Sequence, residues 1–111
     1  MGTQLDDVLA ALADPARRRV VDVLRVGPRR AGELASSVDM SGPAMSRHLR
    51  VLRATGLVEA AALDGDARVR VYRLRAEPFT ALRAWLDQVE AFWGDQLGAF
   101  AAHVDKEGDE R

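Results

Sequence analysis

Hydroxyls and arginines set at helical spacing between residues 41 and 53 are the groups best placed to do chemistry: Ser41, Ser46, Arg47, Arg50 and Arg53. That chemistry is recognition. A guanidinium presents a planar fork of donors that fits phosphate oxygens or the major-groove edge of guanine, and a hydroxyl adds an adaptable donor and acceptor. Gly42, Pro43 and Ala44 carry almost no bulk, so a helix beginning there can bring its backbone close to another molecule. A second basic run, RVRVYRL from Arg68 to Leu74, alternates Arg68 and Arg70 with valine, as a half-exposed strand does. Bond-breaking chemistry has no comparable support. There is no nucleophile with a neighbouring base and no phosphate-cradling glycine loop, and 111 residues leave little chain to enclose a substrate. Ser36, Ser37 and Ser41 lie near one another, but serines in a helix and turn usually cap backbone groups. The chain is therefore expected not to be an enzyme.

The elements that must position these groups follow from apolar periodicity. Leu34, Ala35 and Val38 predict a short helix from about Ala31 to Val38. Asp39-Met40-Ser41 interrupts it, and Ser41 caps a new helix starting near Gly42 with Pro43 in its first turn. Met45, His48, Leu49 and Leu52 line the inner face of that helix, Ser46, Arg47, Arg50 and Arg53 lie largely outside, and Gly56 ends it. Leu57 to Leu63 reads as a strand, Asp64-Gly65-Asp66-Ala67 as a turn, and Arg68 to Leu74 as the return strand. A plain helical hairpin with solvated arginines, or an ordinary edge ribbon, would account for either half. Together they outline a winged helix-turn-helix: mainly α, about five helices, and a two-stranded β-hairpin as a small wing.

The flanks have a different character. Leu5, Val8, Leu9 and Leu12 space a short amphipathic helix that ends at Asp14-Pro15. A second helix, Pro15 to about Val26, buries Val20, Val21, Val23 and Leu24 and presents Arg17, Arg18, Arg19 and Arg25. Arg17 and Arg18 reach a phosphate, stay as solvated charge, or pair within the chain with Asp14 or Asp22. After Glu77-Pro78 the longest helix runs from about Phe79 to Val104. Its apolar stripe comprises Leu82, Trp85, Leu86, Val89, Phe92, Trp93, Leu97, Phe100 and Val104, and is wider than one small core can cover. With Leu5, Val8 and Leu9 it predicts a partner surface, and a two-fold homodimer is the economical partner. Residues 105–111 are charged and expected to be a disordered tail, leaving 1–104 as one domain.

Charge is segregated along the chain. The net value of −1 hides 13 arginines against 6 acidic side chains in residues 15–75, and 8 acidic against 3 basic side chains in residues 76–111. The basic excess coincides with the helix-turn-helix and the wing, giving a field attractive to phosphate on one side. No long apolar run is present and MGTQLDD lacks a hydrophobic leader, so a soluble, cytoplasmic protein with no membrane partner is expected.

The chain resembles the ArsR family of bacterial winged-helix repressors. The likeness is carried by ALADPARRRVVDVL (Ala11–Leu24), GELA (Gly32–Ala35), SGPAMSRHLRVLRATGLV (Ser41–Val58) and VYRL (Val71–Leu74), and extends over about residues 8–100. It implies a homodimer that binds a pseudo-palindromic operator in double-stranded DNA, using the helix at about 42–55 and the wing at 57–74, and releases it on a signal. Two departures matter. Many members sense metals through paired cysteines in a pattern such as ELCVCDL, where this chain has ELASSVD, with Ala35 and Ser37 at those places; others use histidines and carboxylates on the last helix. With zero cysteines in the chain, thiolate sites are excluded by ligand chemistry, and His48 and His103 are too few for an imidazole site, so no metal or cofactor is expected. A glutamine commonly precedes the proline of the recognition helix, where this chain has Gly42, so base readout shifts to Ser46, Arg47 and Arg50. A small-molecule effector between the terminal helices is open, as is the alternative of a protein-interaction module built on the aromatic last helix.

Overall fold

The computed structural model describes residues 4–109, with side chains through Gly98. In chain order the elements are α1 (Gln4–Leu12), α2 (Pro15–Leu24), α3 (Ala31–Ser37), α4 (Gly42–Ala54), β1 (Val58–Leu63), β2 (Asp66–Leu74) and α5 (Ala76–Asp109). Five helices and an antiparallel hairpin make the winged helix-turn-helix that the sequence predicts. The chain divides after Thr80 into two compact units, the second being the remainder of α5.

The first unit is built on an apolar core to which every element from α1 to β1 contributes. Val8 and Ala11 come from α1, Val20 and Leu24 from α2, and Leu34, Ala35 and Val38 from α3 and its cap; Met45, Leu49 and Leu52 belong to α4, and Leu57 and Val58 lead into β1. No polar or charged residue among those described is buried there. Removing this much apolar surface from water is the main force holding α4 against α2 and α3.

Local chemistry sets the ends. The Asp14 carboxylate accepts from the amides of Ala16 at 2.7 Å and Arg17 at 3.3 Å, capping α2. That helix stops at Leu24, short of the expected Val26, because Val26 N–H donates to Val23 O and Gly27 N–H to Leu24 O, tightening the chain into shorter-range turns before Pro28. Both helices of the motif end in the same left-handed device. Asp39 (φ 53°) follows α3, with Met40 N–H donating to Ala35 O; Gly56 (φ 79°) follows α4, with Leu57 N–H donating to Leu52 O.

The hairpin turns on two residues, Asp64 (φ 52°) and Gly65 (φ 78°), both left-handed as a type I′ turn requires. Asp66 therefore opens β2, two residues before the expected start. Register runs from Val58 opposite Leu74 to Ala62 opposite Arg70, with a bulge before Leu63 meets Asp66. Arg29 adds a one-residue third strand, exchanging both backbone hydrogen bonds with Tyr72 at 3.0 and 2.7 Å. α5 begins at Ala76 because Pro78 sits in the first turn, where its missing N–H costs nothing. It continues to Asp109, so residues 105–109, expected as part of a disordered tail, extend the helix; adding a residue to an existing helix needs no new nucleus. Among the described residues no helix is long and apolar enough to cross a membrane.

Candidate nucleic-acid interface

Burial of Met45, Leu49 and Leu52 turns the opposite face of α4 to solvent. Ser46, Arg47, Arg50 and Arg53 are all exposed on it. Ser41 Oγ accepts from Ala44 N at 3.2 Å, capping the helix, and Pro43 occupies its first turn. Gly42 and Pro43 are exposed, and a Cβ added at Gly42 would meet nothing within 4 Å. The chain's own packing therefore does not require glycine at that position.

A groove of about 450 Å³ runs between α4 and the hairpin, lined by Ser46, Leu49, Arg50, Arg53, Ala54 and Tyr72. The sequence pattern puts Arg53 on the outer face without a role and does not single out Tyr72. The signal for Tyr72 was its position in VYRL, one strand residue from Arg73, but the third strand that fixes it arises from a single bridge at Arg29 with no periodicity to detect.

The guanidiniums fall into two electrostatic classes. Among the described residues Arg47, Arg50, Arg53 and Arg70 make no intrachain ion pair, whereas Arg68 is held by Asp66. Arg68 Nε and Nη2 donate to the two Asp66 oxygens at 3.2 and 3.3 Å, and its backbone N–H donates at 3.0 Å. The side-chain and backbone bonds from Arg68 hold the Asp66 carboxyl below the usual carboxylate range. The wing tip thus carries a locally neutralised arginine at 68 and an unneutralised one at 70. Further along β2, Arg73 Nε donates to Glu59 at 2.7 Å across the strands.

Arg17 takes the intrachain alternative, pairing with Asp14, whereas Arg18 bonds backbone carbonyls and neither aspartate. Arg18 Nη1 donates to the carbonyls of Leu12 at 2.7 Å and Ala13 at 3.1 Å, closing the end of α1. Arg17 Nε donates to Ala11 O at 2.7 Å, and its Nη1 lies 3.7 Å from Asp14 Oδ2 and 3.4 Å from His48 Nδ1. Desolvation raises the Asp14 carboxyl, but the amides of Ala16 and Arg17, the Arg17 guanidinium and His48 together outweigh it and hold the group below its ordinary value.

The predicted partner surface divides. Val8 is 1% exposed within the first unit's core, so it packs inward, contrary to expectation: its position opposite α2 closes that core. Leu9 is partly exposed and Leu5 half-buried. On α5, Leu82 and Val89 are half-buried and Trp85 and Leu86 partly exposed, while Phe92 (64%), Trp93 (57%) and Leu97 (57%) stand open to solvent. Phe100 lies outside the described side chains.

Residues 14–60 match the family described as bacterial regulatory protein, arsR family. A relative from Mycobacterium tuberculosis, the HTH-type transcriptional regulator Rv2034, is 42% identical over 106 residues, spanning 95% of this chain and 92% of its own. The chain belongs to the arsR family. A solved ArsR-like transcriptional regulator from Rhodococcus sp. RHA1 superposes on this arsR-family chain with a TM-score of 0.73 at 30% identity, covering 87% of this chain and 89% of that one. A homodimeric winged helix-turn-helix DNA-binding domain from Mycobacterium bovis superposes with a TM-score of 0.61 at 26% identity, covering 85% and 82%. In this arsR-family protein, the two places where metal-sensing members carry thiolates hold a buried Ala35 and a Ser37 whose hydroxyl donates to Glu33 O at 2.8 Å. Among the described residues no three His, Asp or Glu side chains gather as a metal site would need.

Proposed function

We propose that this protein is a DNA-binding transcriptional repressor that acts as a homodimer on a pseudo-palindromic operator. The observation that carries this reading is the outer face of α4, where Ser46, Arg47 and Arg50 are exposed and neither guanidinium has an ion-pair partner among the described residues. The capped N-terminus of α4 enters the major groove first. Ser41, Gly42, Pro43 and Ala44 let the backbone approach phosphate closely, where the positive end of the helix dipole favours an anion. Arg47 makes a bidentate contact with guanine, Ser46 supplies an adaptable hydrogen bond, and Arg50 reaches a base edge or the phosphate beside it. On the wing, Arg70 meets the backbone with its full charge, and Arg68 contributes less because Asp66 already neutralises it.

Two copies related by a two-fold axis place their α4 helices about 34 Å apart, in successive major grooves. Leu5, Leu9, Leu82, Trp85, Leu86, Val89, Phe92, Trp93 and Leu97 supply the apolar surface that joins them. Repression follows from occlusion of promoter DNA by the bound dimer. The test is fluorescence anisotropy of the protein against the DNA upstream of its own gene and against a shuffled duplex, over a salt series. Tight, salt-sensitive binding that prefers the native fragment supports the reading, and equal weak binding to both duplexes overturns it.

A further inference from the structure

One guanidinium joins three elements of the first unit. Arg17 belongs to α2, yet its Nε donates to the carbonyl of Ala11 in α1 at 2.7 Å, and its Nη1 sits 3.4 Å from His48 Nδ1 in α4. Asp14, which caps α2, stands 3.7 Å from the same Nη1. Between α1 and the back of α4 lies a hollow of about 360 Å³, lined by Asp7, Ala10, Ala11, Arg17, Val51 and Ala54, with Thr55 at its end. Side-chain packing does not fill this space, and the Arg17 guanidinium reaches a helix on each side of it. His48 is flanked in sequence by Arg47 and Leu49, so the tie lands in the middle of the helix proposed to read DNA.

We propose that Arg17 is a positioning residue for DNA recognition, acting through His48 to fix the rotation of α4 relative to the α1–α2 corner. The inference rests on the DNA-binding reading above. Arginine has donors only, so His48 Nδ1 must be the acceptor and the ring's proton lies on Nε2. At 3.4 Å the bond is long and weak by itself. Its importance lies in where it acts: a small rotation of α4 about its axis displaces Arg47 and Arg50 together. Two of the three guanidinium nitrogens are committed within the chain, Nε to Ala11 O and Nη1 to Asp14 and His48, and the side chain is only 18% exposed. Direct contact with phosphate, the alternative open from the sequence, would draw on a side chain already held by α1, Asp14 and α4.

The two roles leave different marks on binding. A phosphate contact contributes to the salt slope and acts on every sequence alike, whereas a positioning residue alters preference at constant slope. Arg17→Met and His48→Leu should each lower affinity for the native fragment about three- to tenfold. Affinity for the shuffled duplex and the salt slope should stay as in the unaltered protein. The double variant should be no worse than either single one, and His48→Gln, which keeps an acceptor, should restore most of the preference. A slope reduced by about one in Arg17→Met, or losses that add in the double variant, would overturn the assignment. If the unaltered protein prefers neither duplex, the DNA reading fails, and the tie is judged by imidazole nitrogen NMR. A His48 Nδ1 that is unprotonated and shifts in Arg17→Met upholds the link, and one that carries the proton or does not respond refutes it.

Discussion

Arg47 and Arg70 are both exposed, and among the described residues neither has an ion-pair partner; the proposed function gives their elements different tasks, so their removal should separate base reading from backbone holding. Arg47→Ala is expected to weaken binding to the native operator by about 1–3 kcal/mol and to relax preference at one base position, read by anisotropy on a set of single-base operator variants. Arg70→Ala should weaken all duplexes alike and reduce the salt slope by about one, while Arg68→Ala should do so less, because Asp66 already occupies that guanidinium. Equal slopes for the two wing variants would mean that Arg68 leaves Asp66 when DNA arrives. Gly42 makes a complementary case. Its φ is not in the left-handed region and a Cβ would meet nothing, so Gly42→Ala should leave the fold intact and raise stability by about 0.4–1 kcal/mol in thermal denaturation. The same change should lower DNA affinity if the glycine serves the approach of α4 to the duplex. A variant that is both more stable and equally tight would remove Gly42 from the interface.

Caps and turns explain why the elements fall where they do, and they also explain what the sequence made legible. Ser41 with Pro43, and Asp14 with Pro15, have direct signatures, so the starts of α4 and α2 could be placed from residue types. The exposed arginine face of α4 followed from the spacing of Met45, Leu49 and Leu52. Three features had no such signal. The left-handed Asp39 after α3 does what glycine commonly does; the Arg29–Tyr72 bridge is one residue long; and the Arg17–His48 contact joins residues far apart in the chain. Gly56 shows how sharply a cap can be tested. Its φ of 79° is costly for any residue with a Cβ, so Gly56→Ala should destabilise the first unit by about 1–2 kcal/mol in urea denaturation. A loss well under that would mean the α4–β1 corner relaxes. The Asp14 cap titrates in a defined direction. Because its folded carboxyl lies below its ordinary value of 3.8, its contribution is fully present above that value and disappears as pH falls through the lower, folded value. Asp14→Asn keeps a capping oxygen but cannot titrate, so the melting temperatures of the two proteins should differ near neutrality and converge below about pH 4. A difference that persists unchanged into strong acid would assign the effect to shape alone.

At the scale of the whole molecule, the question is why so small a chain leaves large apolar side chains in water. Phe92, Trp93 and Leu97 are more than half exposed, and Trp93 and Leu97 stand one turn apart on α5. Exposure of scattered apolar residues is ordinary, but two aromatic rings and a leucine on one stretch of helix form a contiguous patch of the kind that marks an interface. A second copy is the partner that symmetry makes economical, and a DNA-reading function gives that copy a purpose. One α4 can meet only one major groove, and the energy of a single half-site is rarely enough to pick an operator from a genome of competing sequence. Joining two readers makes the second contact intramolecular, with an effective concentration set by geometry. Trp93→Glu should therefore leave every residue proposed to read DNA unaltered and still weaken operator binding. Sedimentation at micromolar concentration is expected to give a monomer where the unaltered chain gives a dimer. Affinity for a single half-site should be unchanged, because α4 and the wing are intact, while affinity for the full palindrome should fall towards that of the half-site. A dimer that survives the glutamate would place the interface elsewhere. A monomer that still binds the palindrome as tightly as before would separate dimerisation from operator choice.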